Sequence, residues 1–133
     1  MGVEIERKFL VTGDAWRAQA ASRELLRQGY LANTARASVR VRRAGDAAWL
    51  SVKSMTRAIV RDEYEYAIPV ADADAMLDRL CDGPRVEKVR HVVALGRHAW
   101  EVDEFLGDNA GLVVAELELD APDEAFARPD WLG

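Results

Sequence analysis

The residues with the clearest chemical potential in this sequence are acidic and basic side chains that recur at every second position. Glu4, Glu6 and Lys8 are spaced in this way near the N-terminus, and Arg40 and Arg42 repeat the spacing further on. Side chains two positions apart project from the same face of a β-strand. Grouped carboxylates bind hard divalent cations, and arginine forks bind phosphate oxygens. The spacing therefore predicts a site for a polyanion beside metal ions, provided that these faces point toward one another.

Most later segments carry the same pattern of like charges on one strand face. The pairs are Glu63 with Glu65, Lys88 with Arg90, Glu101 with Asp103, and Glu116 with Glu118, and Lys53 is a further charge in this pattern. Neighbouring like charges repel unless an opposite charge lies between them. A sheet with one solvated face would leave these residues in bulk water, whereas a barrel with inward-facing charges would enclose a ligand. The spacing alone leaves both interpretations open.

Alternation of apolar and polar residues predicts eight strands. They span residues 3–11, 25–32, 37–43, 48–54, 60–69, 85–95, 99–105 and 112–119. The turns between them are mostly short, which favours antiparallel neighbours. Eight antiparallel strands predict a closed or nearly closed β-barrel in an α+β fold, with a few short helices packed outside.

Two stretches are predicted to be helical. The spacing of Ala73, Met76, Leu77 and Leu80 gives one apolar face. We expect this helix to start at a cap on Asp72 and to end before Gly83-Pro84. The Ala-rich residues 14–22 are a weaker candidate. Because no linker or repeat interrupts the chain, residues 1–133 are predicted to form a single domain.

The overall charge excludes several classes of partner. The formal net charge of -5 argues against non-specific binding to nucleic acid or to an anionic membrane. A single cysteine excludes an intramolecular disulfide, and the charged N-terminus is unlike a signal peptide. We therefore expect a cytoplasmic protein that binds a small molecule, and its oligomeric state is left open, a homodimer included.

The ordered strand motifs resemble the CYTH superfamily, also called triphosphate tunnel metalloenzymes. The first motif is ExExK, carried here by Glu4-Ile5-Glu6-Arg7-Lys8. The later matches are Leu26 to Leu31, Ser38 to Arg42, Leu50 to Lys53, Asp62 to Pro69, Val86 to Arg90, Trp100 to Asp103, and Ala115 to Glu118. The resemblance covers essentially the whole chain and is greatest to the short bacterial members, which are similar to inorganic tripolyphosphatases.

The resemblance implies a role for each matching residue. Those expected to line the tunnel and bind phosphate are Lys8, Arg40, Arg42, Lys53, Lys88 and Arg90. Those expected to bind metal are Glu4, Glu6, Glu116 and Glu118. Those expected in supporting acidic positions are Glu63, Glu65 and Asp103. Lys8, Lys53, Glu4 and Glu6 are the residues expected to matter most for catalysis.

The expected ligand set identifies the cofactor and the reaction. Oxygen ligands without a His or Cys cluster favour Mg²⁺ or Mn²⁺ over zinc. With six basic and seven acidic residues the proposed lumen has a formal charge of about -1, and about two divalent ions would make it attractive to triphosphate. The resemblance thus implies metal-dependent hydrolysis of a triphosphate, most simply inorganic tripolyphosphate.

Other activities remain open at this point. The same superfamily includes nucleoside and thiamine triphosphatases and adenylate cyclases. A polyphosphate-binding module without turnover, or a structural β-domain without a ligand, belongs to a different class. Trp49 is interpreted as a packing anchor, and His91 stands where the family often has Tyr, a change expected to alter distal substrate contacts. The segment at Trp131 resembles one that is normally followed by a further turn and helix, so closure of one side of the tunnel is uncertain from the sequence.

Overall fold

The computed structural model describes residues 2–55 and 59–133 and contains all eight predicted strands. The strands are β1 (Gly2–Leu10), β2 (Ala20–Asn33), β3 (Ala37–Ala44), β4 (Ala47–Ser54), β5 (Val60–Ala67), β6 (Val86–Leu95), β7 (His98–Phe105) and β8 (Val113–Glu118). Most of their bounds differ from the prediction by one or two residues. No helix among the described residues is long and apolar enough to cross a membrane.

The strands form a closed antiparallel barrel, as predicted. Their order around the wall is β1-β5-β4-β3-β2-β6-β7-β8, and the last strand pairs with the first. β1 closes the wall because it pairs with β5 through its first half and with β8 through its second half. The wall is therefore continuous, and its interior is separated from its outer face around the whole circumference.

Apolar side chains of the wall point outward, so the hydrophobic core lies between the barrel and the segments that pack on it. The larger cluster contains Trp16, Trp100, Leu117 and Trp131, all of which are buried. Chain segments before β2 and after β8 supply Trp16 and Trp131 to this cluster. Period-two alternation thus places many apolar residues of the strands in the outer core and the charged residues on the opposite strand faces in the lumen.

A single α-helix, α1 (Val70–Arg79), covers another part of the wall. Ala73 and Leu77 bury its apolar face against Val41 and Ala48. The predicted cap on Asp72 is wrong: the residue before the helix is Pro69, and Asp72 lies in the first turn. Pro69 has no backbone N–H to leave unsatisfied, and the acidic residue favours the positive end of the helix dipole.

The predicted helix over residues 14–22 is also wrong. The structure has a 3₁₀-helix at Ala15–Gln19, and the chain enters β2 at Ala20, which pairs with Val93 of β6. Five residues form too short a helix to be stable alone, and burial of Trp16 fixes this turn instead. A second 3₁₀-helix spans Gly107–Asn109.

Candidate active site

The barrel encloses a cavity of about 300 Å³ lined entirely by charged side chains. The lining residues are Glu4, Glu6, Lys8, Arg40, Arg42, Lys53, Glu63, Glu65, Arg90, Glu101, Glu116 and Glu118. Eleven of the thirteen site residues expected from the sequence are in this set. Lys88 and Asp103 are the other two, and they lie outside the lining. The charged faces of successive strands therefore converge on one cavity, and the solvated-sheet interpretation is wrong.

Carboxylates from β1 and β8 form one side of the cavity. In the β1–β8 register Glu6 is opposite Glu118, and Lys8 is opposite Glu116. Burial, together with the negative charges of Glu116 and Glu4, raises the pKa of Glu6 to about 8. Glu6 therefore binds a proton at neutral pH when no cation is present. On this side of the cavity the negative charges of the carboxylates outnumber the nearby positive charges.

Two lysines contact these carboxylates. Lys53 Nζ lies 2.9 Å from Glu4 Oε1 and 3.5 Å from Glu63 Oε2. Lys8 is more open, with a side chain 55% exposed and Nζ 3.8 Å from Glu6 and 3.9 Å from Glu116. Lys53 is thus fixed by ion pairs, whereas Lys8 can reorient toward a bound anion.

Arg40 and Arg42 of β3 form a positively charged wall of the cavity, in contrast to the carboxylates of β1 and β8. Among the described residues, no carboxylate lies within ion-pair distance of either guanidinium. Arg42 Nε donates a hydrogen bond to Gln28 Oε1 at 3.1 Å, and Arg40 Nε is buried without a hydrogen-bond partner in the described part of the chain. Burial and the charges of Arg40 and Arg90 lower the pKa of Arg42 to about 10, so it remains charged at neutral pH. The positive charges of Arg40 and Arg42 therefore have no carboxylate partner among the described residues, and an external anion could neutralise them.

Asp103 ties the basic residues of β6 together behind the lining. Arg90 donates to both oxygens of Asp103, at 2.8 and 2.9 Å, and Lys88 Nζ lies 2.7 Å from Oδ2. Asp103 is 0% exposed and Lys88 is 4% exposed. Burial opposes ionisation of Asp103, but the hydrogen bonds from Arg90 and the charge of Lys88 outweigh it and lower the pKa of Asp103. This cluster is a buried structural ion network, of which only Arg90 reaches the lumen.

Three polar residues of the site were not among the site residues expected from the sequence, although Glu101 was part of the charge pattern. Glu101 lines the cavity and accepts a hydrogen bond from Arg90 at 3.0 Å. Its spacing from Asp103 was the available signal. Ser51 is buried and donates to Glu65 at 3.2 Å, and Gln28 is buried beside Arg42. Both are neutral, so a search for charged pairs does not find them.

Trp49 and His91 lie on faces other than those expected. Trp49 is opposite Arg42 in the β3–β4 register and, with Leu26 and Ala44, lines a smaller cavity of about 170 Å³. We call this smaller cavity the annex. It shares Arg42 and other lining residues with the main cavity. His91 points away from the lumen, since its ring packs on Trp16 with centroids 4.7 Å apart. The expected effect of His91 on substrate contacts is therefore not supported.

The carboxylate side is chemically suited to a divalent cation. In the described ranges, no three acidic, thiol or imidazole groups form a preassembled metal centre. The donors are nevertheless hard oxygens, and burial, together with the charges of Glu116 and Glu4, raises the pKa of Glu6, so that an added proton or cation would stabilise this side. With five cations and seven carboxylates, the lining has a formal charge of -2 before any cation binds.

Comparisons with known proteins match the whole barrel. The profile of the CYTH domain family matches residues 2–133. A protein of Acetivibrio thermocellus named inorganic triphosphatase is 48% identical over 133 residues, which are 100% of this chain and 85% of the relative. The crystal structure of the inorganic triphosphatase NE1496 has a TM-score of 0.66 and 34% identity, covering 98% of this chain and 86% of the other. An adenylyl cyclase candidate from Hippeastrum with a dominant triphosphatase activity shares the fold, with a TM-score of 0.61 and 16% identity, covering 92% of this chain and 81% of the other.

Proposed function

The chain belongs to the CYTH domain family, as its strand motifs predicted, and from this premise we propose that it hydrolyses inorganic tripolyphosphate inside the barrel. The observation that carries the proposal is a wholly charged cavity inside a closed barrel, in which two arginines without a carboxylate partner among the described residues face a group of carboxylates. The relative that is 48% identical is named for the same activity. Water adds to the terminal phosphorus, the bond to the bridging oxygen breaks, and phosphate and pyrophosphate are released.

The basic residues would bind the phosphate chain according to their surroundings. Arg40 and Arg42 have no carboxylate partner among the described residues, so their guanidinium forks would bind phosphate oxygens in bidentate fashion. Lys8 and Lys53 would act as point charges beside the reacting phosphate. Since charge on the bridging oxygen grows as the bond breaks, fixed cations near it lower the barrier without a covalent intermediate.

Family membership implies dependence on divalent metal, and we propose Mg²⁺ or Mn²⁺. Glu4, Glu6, Glu116 and Glu118 would hold the cation, since they are the carboxylates of β1 and β8 that line the cavity. A bound divalent ion would neutralise phosphate charge and promote ionisation of the attacking water. Glu63, Glu65 and Asp103 would keep Lys53, Ser51 and Arg90 in place, as their contacts in the structure suggest.

The annex beside Trp49 favours a second candidate, an organic triphosphate such as a nucleoside triphosphate. Its apolar wall could accept a planar group attached to the phosphate chain, whereas inorganic tripolyphosphate has no such group. Replacing Trp49 by Ala should then reduce kcat/KM for ATP and leave kcat/KM for tripolyphosphate nearly unchanged. Equal effects on both substrates would remove the organic candidate.

Phosphate release from tripolyphosphate, ATP and thiamine triphosphate under Mg²⁺ and Mn²⁺ tests the proposal. We expect the highest kcat/KM for tripolyphosphate and no turnover without metal. Glu6→Gln should abolish turnover. Glu87→Gln is the matched control, because Glu87 is half exposed and pairs with Arg27 outside the lumen. Full activity of Glu6→Gln would contradict the proposed site, and substrate binding without turnover would favour a binding module.

We also propose that the protein acts in the cytoplasm and that its partner is a small molecule.

A further inference from the structure

Gln28 is a buried, uncharged residue that contacts Arg42, one of the two β3 arginines that have no carboxylate partner among the described residues. It is opposite Arg42 in the β2–β3 register and opposite Val86 in the β2–β6 register. Its side chain is 7% exposed, and Oε1 accepts the hydrogen bond from Arg42 Nε at 3.1 Å. The amide therefore fixes the Nε edge of the guanidinium without adding charge to the cavity.

Carboxylates hold the other fixed cations of the lumen. Lys53 is fixed by Glu4, and Arg90 is fixed by Asp103 through two hydrogen bonds. A carboxylate orients a cation and also cancels its charge, whereas a neutral amide only orients it. The chemical difference between the two kinds of acceptor is one unit of charge at nearly the same volume.

We propose that Gln28 is a positioning residue that orients Arg42 toward the phosphate chain while leaving the charge of Arg42 available to the substrate. This inference rests on the proposed triphosphate site and adds to it the role of a residue that does not itself line the cavity. A carboxylate at position 28 would compete with phosphate oxygens for the same guanidinium and would make an already negative lumen more negative. A preoriented but uncompensated Arg42 binds the substrate without first having to break an ion pair.

Gln28→Glu tests the inference, because it adds a charge with almost no change in shape. With Mg²⁺ and tripolyphosphate we expect KM to rise by at least about tenfold, with a smaller change in kcat, since Arg42 then pairs with the new carboxylate. Gln28→Met removes the acceptor without adding charge and should raise KM by only about threefold. Gln19→Glu is the matched control, because Gln19 is exposed in the 3₁₀-helix outside the barrel. It makes the same chemical change and should leave both constants unchanged.

The outcomes separate charge from packing. Equal KM values for Gln28→Glu and Gln19→Glu would overturn the inference, and so would equal losses in Gln28→Glu and Gln28→Met. A second measurement does not depend on whether Gln28→Glu folds. The double variant that combines Gln28→Met with Arg42→Met should have the same kcat/KM as the single variant Arg42→Met. Additive losses would contradict action through Arg42. If the unsubstituted chain does not turn over tripolyphosphate, the proposed function fails and the inference fails with it. Turnover without a charge effect at position 28 overturns the inference alone.

Discussion

The β3 wall and the β6 wall of the barrel use the same sequence pattern for different purposes. Each contributes two basic residues two positions apart, Arg40 with Arg42 and Lys88 with Arg90. On β3 neither has a carboxylate partner among the described residues, whereas on β6 both are bound to Asp103. A basic pair on a lumen-facing strand can therefore be a receptor for an external anion or part of the internal framework, depending on what the neighbouring strand supplies.

The difference also appears in the proton affinities of the two arginines. Burial and neighbouring cations lower the pKa of Arg42 to about 10. Arg90 is also buried, but hydrogen bonds to Asp103 and the charges of nearby carboxylates raise its pKa. Both are charged at neutral pH, so the contrast lies in the need for a counter-anion. Arg42 would gain one from the proposed phosphate substrate, whereas Arg90 already has one in Asp103.

The largest expected effect comes from Arg42→Met compared with Lys88→Met. Loss of an uncompensated arginine from the phosphate site should lower kcat/KM by about 100-fold or more, close to 3 kcal/mol of transition-state stabilisation. Lys88→Met should lower kcat/KM by less than about tenfold, because Asp103 keeps its two hydrogen bonds from Arg90. Steady-state kinetics with tripolyphosphate and Mg²⁺ measures both. Similar losses would mean that the two walls are equivalent.

The second effect is on stability, and it should be confined to the β6 wall. Asp103→Asn removes the carboxylate that Lys88 contacts and leaves Arg90 with Glu101 and Glu116, which should lower the free energy of unfolding by about 3 kcal/mol. In a chain of this length the unfolding midpoint would fall by about 10 °C. Thermal unfolding followed by circular dichroism checks this, and an unchanged midpoint would show that the ion network does not stabilise the barrel.

Much of the barrel and most of the cavity lining were predictable from the sequence, because the alternation of side chains along a strand is a local property. Charges two apart predicted one face, and their repulsion indicated that something of opposite sign faces them. The difference between Arg42 and Arg90 was not predictable in this way. It depends on which residue of β2 is opposite Arg42 in β3 and which residue of β7 is opposite Arg90 in β6, and that register is fixed by the tertiary fold.

The early start of β2 was missed for a related reason. Residues 20–24 lack clear alternation, and Ser22, Arg23 and Glu24 are all exposed. Pairing with β6 extends the strand back to Ala20, so a neighbouring strand decides the conformation rather than local propensity. The predicted single domain over residues 1–133 stays a prediction.

The third prediction applies the comparison to the carboxylates that face the β3 wall. In the proposed metal site Glu6 would have to lose its proton before a cation binds, so apparent affinity for Mg²⁺ should rise up to about tenfold per pH unit below pH 8. Without metal, folded Glu6 holds a proton between its ordinary pKa of 4.5 and about 8, where the unfolded chain does not. Stability in EDTA should therefore be greatest at low pH within this window and fall as pH rises through it. Thermal unfolding in EDTA from pH 5 to 8 tests this, and Glu6→Gln should remove that part of the decline.

The smallest expected effect is that of Asp78→Asn, which makes the same chemical change as Asp103→Asn on the outer surface. Asp78 lies near the end of α1, with its side chain 63% exposed, and its carboxylate is 3.4 Å from Arg85. Exposed ion pairs contribute little, and an acidic residue near the C-terminal end of a helix opposes the helix dipole. The two terms should nearly cancel, so the free energy of unfolding should change by less than about 0.5 kcal/mol, and kcat/KM should not change. A loss comparable to that of Asp103→Asn would show that neither burial nor contact with two cations is what makes the β6 network strong, because the two carboxylates differ in both respects.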